Sequence, residues 1–279
     1  MEVKDIDIAE LHKIQLKILN AVVALCKKHN LRYSLYCGTL LGAVRHGGFI
    51  PWDDDIDLTM PLKDYRNFLK YAKELSDEFV CVHRDNTRNF YHLWARVQLN
   101  GTTFMPKHAA RLDVPWGIFI DIYPMIGVPD TIFRQKIQKR FLYLAKRLQH
   151  IEYYRVMRNP GSFRLLLSYL PFFLRRAVIN ILLDNTLCDT DKALRVGTLD
   201  GAPFEGKYAV KDWIQMTRLR FEDNFFQAPV HYDKILRRMY GDYMKLPPKE
   251  KRIPHIIEDD TIVDPHRDYR LYRKELLGK

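Results

Sequence analysis

Four aspartates, Asp53, Asp54, Asp55 and Asp57, crowd the end of the run CGTLLGAVRHGGFIPWDDDIDL, residues 37–58. Carboxylates this close repel one another. Solvation in a loop or turn cap relieves the repulsion, and so does capture of a divalent cation. A period of two along DIDLTM sets Ile56, Leu58 and Met60 on one face of a strand and Asp55 and Asp57 together on the other, about 7 Å apart at Cα. That spacing lets both carboxylates reach one hard cation or a close pair. In GIFIDIY the same alternation buries Ile118, Ile120 and Ile122 and turns Asp121 to the opposite face. A carboxylate in so apolar a strand is costly without a neutralising partner, and a cation shared with Asp55 and Asp57 would be one. Asp53 and Asp54 fall at the strand entrance, as caps or with one of them in an acid–base role.

Gly38 and Thr39 supply a complement: a glycine after a strand, opening a helical turn whose free N–H groups and dipole favour a phosphate. Two acidic strand segments and a phosphate-holding turn make a metal-dependent phosphoryl or nucleotidyl transfer site. Among the basic groups, charge and strand face single out Arg45, His46 and Arg96 for phosphate contacts. The balance of 45 Lys and Arg against 34 Asp and Glu, a net +11, points the same way, toward an anionic partner. Nucleic acid, an anionic membrane and a phosphorylated substrate all qualify on charge alone. The four cysteines show no metal-ligand spacing, and the start, MEVKDIDIAELHK, carries no apolar targeting segment.

The elements that must position these residues follow from periodicity. Leu11, Ile14, Ile18, Val22 and Leu25 recur at helical spacing. LRYSLY alternates as a strand ending at Cys37-Gly38-Thr39, and LLGAVRHG is a short helical turn broken by Gly47-Gly48. IDLTM, FVCVH, HLWARVQL and GIFIDIYPM are further strands, with Asn100-Gly101 predicting a hairpin turn. Residues 131–187 turn basic and helical. The fold class is α/β (α+β), a mixed sheet flanked by helices: a core over 1–130, a basic amphipathic helical insertion over 131–187, and a C-terminal segment, 188–279, completing the catalytic domain.

The stretch YSLYCGTLLGAVRHGGFIPWDDDIDL, residues 33–58, resembles the signature of the LicD-type phosphocholine transferases, relatives of fukutin and fukutin-related protein in the nucleotidyltransferase-fold superfamily. GIFIDIYPM is similar to the strand that bears the family's third carboxylate, and YGDYMKLPPKEKR, residues 240–252, to its closing segment. The resemblance implies a nucleotidyltransferase-fold core with Mg²⁺, or Mn²⁺, held by Asp55, Asp57 and Asp121, and Asp121 or Asp53 taking the proton of the attacking hydroxyl. It implies a CDP-choline donor whose phosphocholine passes to a sugar hydroxyl of a lipid-linked glycan, a precursor of teichoic acid or lipopolysaccharide type, with CMP leaving. Gly38 and Thr39 match the superfamily's phosphate-side motif.

Choline's quaternary ammonium forms no hydrogen bonds and is held by aromatic faces. Trp52, Trp94, Trp116 and Tyr123 lie beside the acidic strands. In residues 163–183 two adjacent arginines argue against a spanning helix, and a basic, apolar-faced helical pair fits the surface of an anionic membrane. The expected location is cytoplasmic, peripheral at the inner face of the membrane, with no nucleic-acid partner. Competing functions are transfer of ribitol or ethanolamine phosphate from its CDP donor, a nucleotidyltransferase that releases pyrophosphate, and a non-catalytic binding module.

Overall fold

The computed structural model describes residues 7–156, 171–199, 208–258 and 260–278. Helix α1 (Ile8–Lys28) begins where the Asp7 carboxylate accepts the main-chain N–H groups of Ala9 and Glu10, which otherwise have no partner within the helix. Leu11, Ile18, Leu19, Val22 and Leu25 form its buried stripe. Gln15 lies in the same stripe and is completely buried, a polar residue in a core position that must be satisfied elsewhere.

The first half of the chain continues through β1 (Ser34–Leu35), α2 (Cys37–Arg45), β2 (Asp57–Pro61) and α3 (Leu62–Tyr71). It then adds β3 (Phe79–Val82), β4 (Ala95–Leu99), β5 (Thr103–Pro106) and β6 (Phe119–Val128). The principal sheet runs β1-β2-β6-β4-β3. Strand β2 pairs parallel with β6, and β4 pairs antiparallel with β6 on its other side, so the sheet is mixed. Every residue of β6 is buried, and its apolar run reflects a strand covered on both faces. Helix α1 packs on β4 and β6, and α3 on β2 and β6.

Two local expectations are corrected. The strand read from LRYSLY is only Ser34–Leu35, because Cys37 takes φ 42° and turns the chain straight into α2. Asn100-Gly101 does turn, with Gly101 at φ 77°, but no hairpin forms. Both edges of β4 are taken, by β3 and β6. Strand β5 therefore leaves the sheet and pairs antiparallel with a strand near the C-terminus.

Thr131 caps α4 (Ile132–Gln149), which is followed by α5 (Ile151–Val156) and α6 (Phe172–Asp184). Residues 163–170 of the apolar run lie outside the described residues. Helices α4 and α6 pack on each other. Leu142, Ala145, Ile179 and Leu183 share a cluster with Ile126 of β6 and Leu62 of α3, so the basic helices rest on the far end of the central strand. Then come β7 (Arg195–Thr198) and β8 (Tyr208–Ala209), which extend the sheet from β6, and α7 (Val210–Ile214). The hairpin β9 (Met216–Phe221)–β10 (Asn224–Pro229) precedes α8 (Tyr232–Tyr240), α9 (His255–Glu258), β11 (Thr261–Asp264) and α10 (Tyr269–Leu277). Strand β11 is the partner of β5.

Candidate active site

The aspartate loop between α2 and β2 is clamped from three directions. Gly42 and Gly48 touch: a Cβ on Gly42 would lie 2.4 Å from the main-chain oxygen of Gly48. Gly47, at φ 70°, makes the turn. The β9–β10 turn docks against it, with Glu222 donating its N–H to Gly47 O (2.8 Å) and its carboxylate accepting the N–H of Phe49 (2.9 Å). From α1, His12 donates from Nε2 to Asp53 O (2.7 Å) and stacks on Phe49, and Gln15 donates to Asp54 O (2.8 Å). The amide nitrogen of the buried Gln15 is thereby satisfied, and the loop is held by its backbone.

Parallel pairing of β2 with β6 puts Asp57 directly opposite Asp121. Asp121 is already paired: the Arg96 guanidinium donates to it from Nε (2.7 Å) and Nη2 (3.2 Å), and the Tyr123 hydroxyl donates at 3.4 Å. Arg96 also lies over the Phe119 ring at 3.8 Å. The expected set Asp55, Asp57 and Asp121 thus includes one carboxylate with a guanidinium partner. Among the described residues, the three carboxylates that bring an oxygen each within 4.8 Å of one another are those of Asp53, Asp54 and Asp55. Burial, and then the charge of Asp54, pushes Asp53 up to about 7, against the pull of His255 and Arg45. Burial, followed by Asp53, Asp54 and Asp121, raises Asp55 well above the usual carboxylate range. A crowded oxygen set held toward protonation suits a hard divalent cation, which relieves both burial and repulsion. Asp54 is anchored further, accepting the N–H of Ile256 (2.7 Å) and lying 3.5 Å from His255 Nδ1, which raises His255 to about 9.

The other expected residues fall into place around this centre. A Cβ on Gly38 would lie 2.7 Å from Asp53 Oδ2, so the glycine lets the loop approach α2. Thr39 is buried, and its hydroxyl accepts the N–H of Asp57 (2.8 Å), tying α2 to β2. Arg45 donates to Tyr243 O, and His46 meets the Trp52 ring edge-on. Trp94 and Tyr123 pack together at 4.9 Å, both nearly buried, beside Asp121. Trp116 lines a cleft of about 260 Å³ with Tyr91, Phe104, Phe119 and Tyr153, and Asp54, Asp55, Arg96 and His255 form its polar side.

Several contributors escaped the sequence reading. Gln15 had a signal, a glutamine in an apolar helical stripe. His12, Glu222 and His255 had none, because each reaches the loop across a long sequence separation. Tyr240 opens the closing segment noted in the sequence: burial, then the charges of Cys37, Asp57 and Asp53, raise its hydroxyl, which hydrogen-bonds with Cys37.

A mixed sheet thus carries an acidic centre beside an arginine and an aromatic cleft, groups that could hold a divalent cation and a phosphorylated ligand. Residues 30–159 match the family model described as LicD/FKTN/FKRP, nucleotidyltransferase domain. Over those residues the chain resembles the LicD family. It is 28% identical over 280 residues to the lipopolysaccharide cholinephosphotransferase LicD of Haemophilus influenzae, covering 93% of this chain and 100% of that protein. Over 46 residues it is 50% identical to human ribitol 5-phosphate transferase FKRP, which is 16% of this chain and 9% of that one.

Proposed function

We propose that the protein transfers phosphocholine from CDP-choline to a sugar hydroxyl of a lipid-linked glycan precursor of lipopolysaccharide or teichoic acid type, releasing CMP. The observation that carries this reading is the convergence of Asp53, Asp54 and Asp55 within 4.8 Å, beside the Arg96–Asp121 pair and an aromatic cleft. The cholinephosphotransferase named in the Haemophilus relative, which this chain matches along that protein's whole length, supports choline as the alcohol. The nucleotidyltransferase fold is part of the same reading.

Asp55, with Asp57 and Asp121 side by side on the neighbouring strands, would hold Mg²⁺ or Mn²⁺, and Asp53 and Asp54 border that set. The bound cation supplies charge neutralisation at the transferring phosphoryl group. Arg45 and His46 face the donor phosphates, and Gly38 keeps the approach to Asp53 open. Arg96 holds Asp121 in place, and Asp53 accepts the proton of the attacking hydroxyl. Tyr91, Trp116 and Tyr153 offer faces to the quaternary ammonium in the cleft, while Trp94 and Tyr123 pack behind Asp121. The matched FKRP segment favours a second reading, ribitol phosphate as the transferred group.

The test is a panel of CDP-choline, CDP-ethanolamine and CDP-ribitol with Mg²⁺, read as CMP release with and without glycan acceptor. CMP release from CDP-choline, abolished by EDTA and reduced at least about a hundredfold in Asp55→Asn, is the expected result. Preference for CDP-ribitol moves the assignment to the second reading. Release of pyrophosphate from a nucleoside triphosphate, or turnover indifferent to EDTA and to Asp55→Asn, overturns it.

The helical stretch adds a location. Helix α4 carries Arg134, Lys136, Lys139, Arg140, Lys146 and Arg147 and no acidic residue. Ile132 and Phe133 on α4, and Phe173 and Ile181 on α6, are each more than 60% exposed. This basic and apolar face fits peripheral contact with an anionic membrane. Among the described residues no helix is long and apolar enough to cross one.

A further inference from the structure

Two guanidinium groups converge beside the aspartate loop, and among the described residues neither makes an ion pair with a carboxylate. Arg45, in the last turn of α2, donates from Nη1 to Tyr243 O (2.8 Å). Arg252 donates from Nε to Pro247 O (2.9 Å), and its guanidinium carbon lies 5.5 Å from the centre of the Trp52 ring. His46, which accepts an N–H from Arg45 Nε at 3.4 Å, meets that same ring edge-on at 6.3 Å. Both arginines are thus pinned between the 243–247 segment and the His46–Trp52 corner. They are near enough to repel: after burial, the charge of Arg252 is the largest influence lowering the proton affinity of Arg45. The charge of Arg45 also reaches Asp53.

Several other arginines are balanced by an acid. Arg32, Arg237 and Arg273 each take a carboxylate at 2.7–2.9 Å. Among the described residues, no carboxylate oxygen lies within 4.0 Å of Arg45 or Arg252. Their anchors are neutral carbonyls, which fix the direction of each fork without cancelling its charge. Two fixed, mutually repelling forks are stabilised by an anion that both can grip, and guanidinium geometry matches phosphate oxygens. The clamp stands next to Asp53 on the loop that carries the acidic cluster, so the anion it holds also borders the carboxylates.

We propose that Arg252 joins Arg45 in a two-arginine clamp for the diphosphate of a nucleotide-linked donor, with Trp52 backing the Arg252 fork. The assignment of the anion as a nucleoside diphosphate rests on the function proposed above. The clamp draws one arginine from the signature segment and the other from about two hundred residues later, so the donor site is complete only when the C-terminal part of the chain has docked.

The test uses the full chain, its Arg45→Gln, Arg252→Gln and Arg252→Lys variants, and two probes, CDP and inorganic pyrophosphate. Calorimetry should show CDP affinity reduced at least tenfold in each glutamine variant and partly recovered in Arg252→Lys. Pyrophosphate should raise the melting temperature of the wild type and leave the glutamine variants unmoved. Without ligand these variants should melt at or above the wild type, since a repulsion has been removed, which separates the clamp from a structural role. Donor KM should rise at least tenfold, with acceptor KM within twofold. CDP affinity and donor KM within twofold of wild type in both glutamine variants overturn the clamp, as does a wild type that binds neither probe. If the variants lose both probes while the wild type turns over no CDP-alcohol, the clamp stands and the donor reading falls. Turnover of CDP-alcohols by variants that bind CDP normally has the opposite meaning.

Discussion

At the scale of single residues the site is governed by what each charge faces. Arg96 and Asp121 are both buried and neutralise one another. Removing the cation alone strands a carboxylate inside the sheet, a situation that costs about 3–5 kcal/mol. Arg96→Ala should therefore lose about that much in a denaturant titration, and Arg96→Ala combined with Asp121→Asn should recover a large part of it. His92 and His150 give a pH dependence. Neither ring nitrogen of His92 has a hydrogen-bond partner among the described residues, and burial, then Arg96, holds it well below the ordinary histidine value. Burial, with Lys146, lowers His150 to about 4. A base whose native pKa is depressed stays neutral in the fold while the unfolded chain takes up a proton below about 6.5. Its contribution to stability is complete above that pH and is lost as the pH falls toward 4. The raised proton affinities of Asp53 and Asp55 act in the opposite sense over the same window, so the test is a difference: relative to the wild type, His150→Phe should lose less melting temperature between pH 6.5 and 4.5, and an unchanged slope would count against the buried neutral histidine.

At the scale of elements, the aspartate loop depends on close contact of backbones. A methyl on Gly42 meets the carbonyl of Gly48 at 2.4 Å, and a main-chain atom cannot swing away as a flexible side chain can. Gly42→Ala should destabilise by about 1–3 kcal/mol. It should also depress CMP release by more than the lost folded fraction explains, because the displaced segment carries Asp53, Asp54 and Asp55. Activity that merely tracks the folded fraction would show that the loop is aimed by its other ties, to His12, Gln15 and Glu222. The same scale shows why the Asn100-Gly101 hairpin failed: turn chemistry is local, but a strand pairs where an edge is free, and β4 had none to offer β5.

At the scale of the whole molecule, one face of the helical stretch is basic and apolar while the acidic centre lies in the sheet beneath. Flotation with phosphatidylglycerol vesicles should carry the protein upward. Phosphatidylcholine vesicles, high salt or a Phe133→Ser/Phe173→Ser double variant should release it, since binding of this kind needs both charge and buried apolar area. Equal flotation on neutral and anionic vesicles would remove the electrostatic part of that reading.

Much of the candidate site could be read without coordinates, because its chemistry is local. Period-two alternation placed Ile56, Leu58 and Met60 in the core and turned Asp121 against its apolar neighbours. The run GTLLGAVRHGGFIPWDDDIDL carried the family resemblance by itself, and the glycine pair marked the break after α2. Helical periodicity likewise outlined α1 and the basic helices. Tertiary structure decided how those charges are balanced. Asp121 faces Arg96 because antiparallel pairing of β4 with β6 sets them opposite each other, a register no local pattern encodes. Asp54 turns to Ile256 and His255, and Trp52 to Arg252, because the C-terminal segment returns to the loop after some two hundred residues. A sequence determines which groups can ionise and which faces must be buried. Only the closed fold determines which charges are neighbours, since Coulomb interactions depend on distance in space and not along the chain.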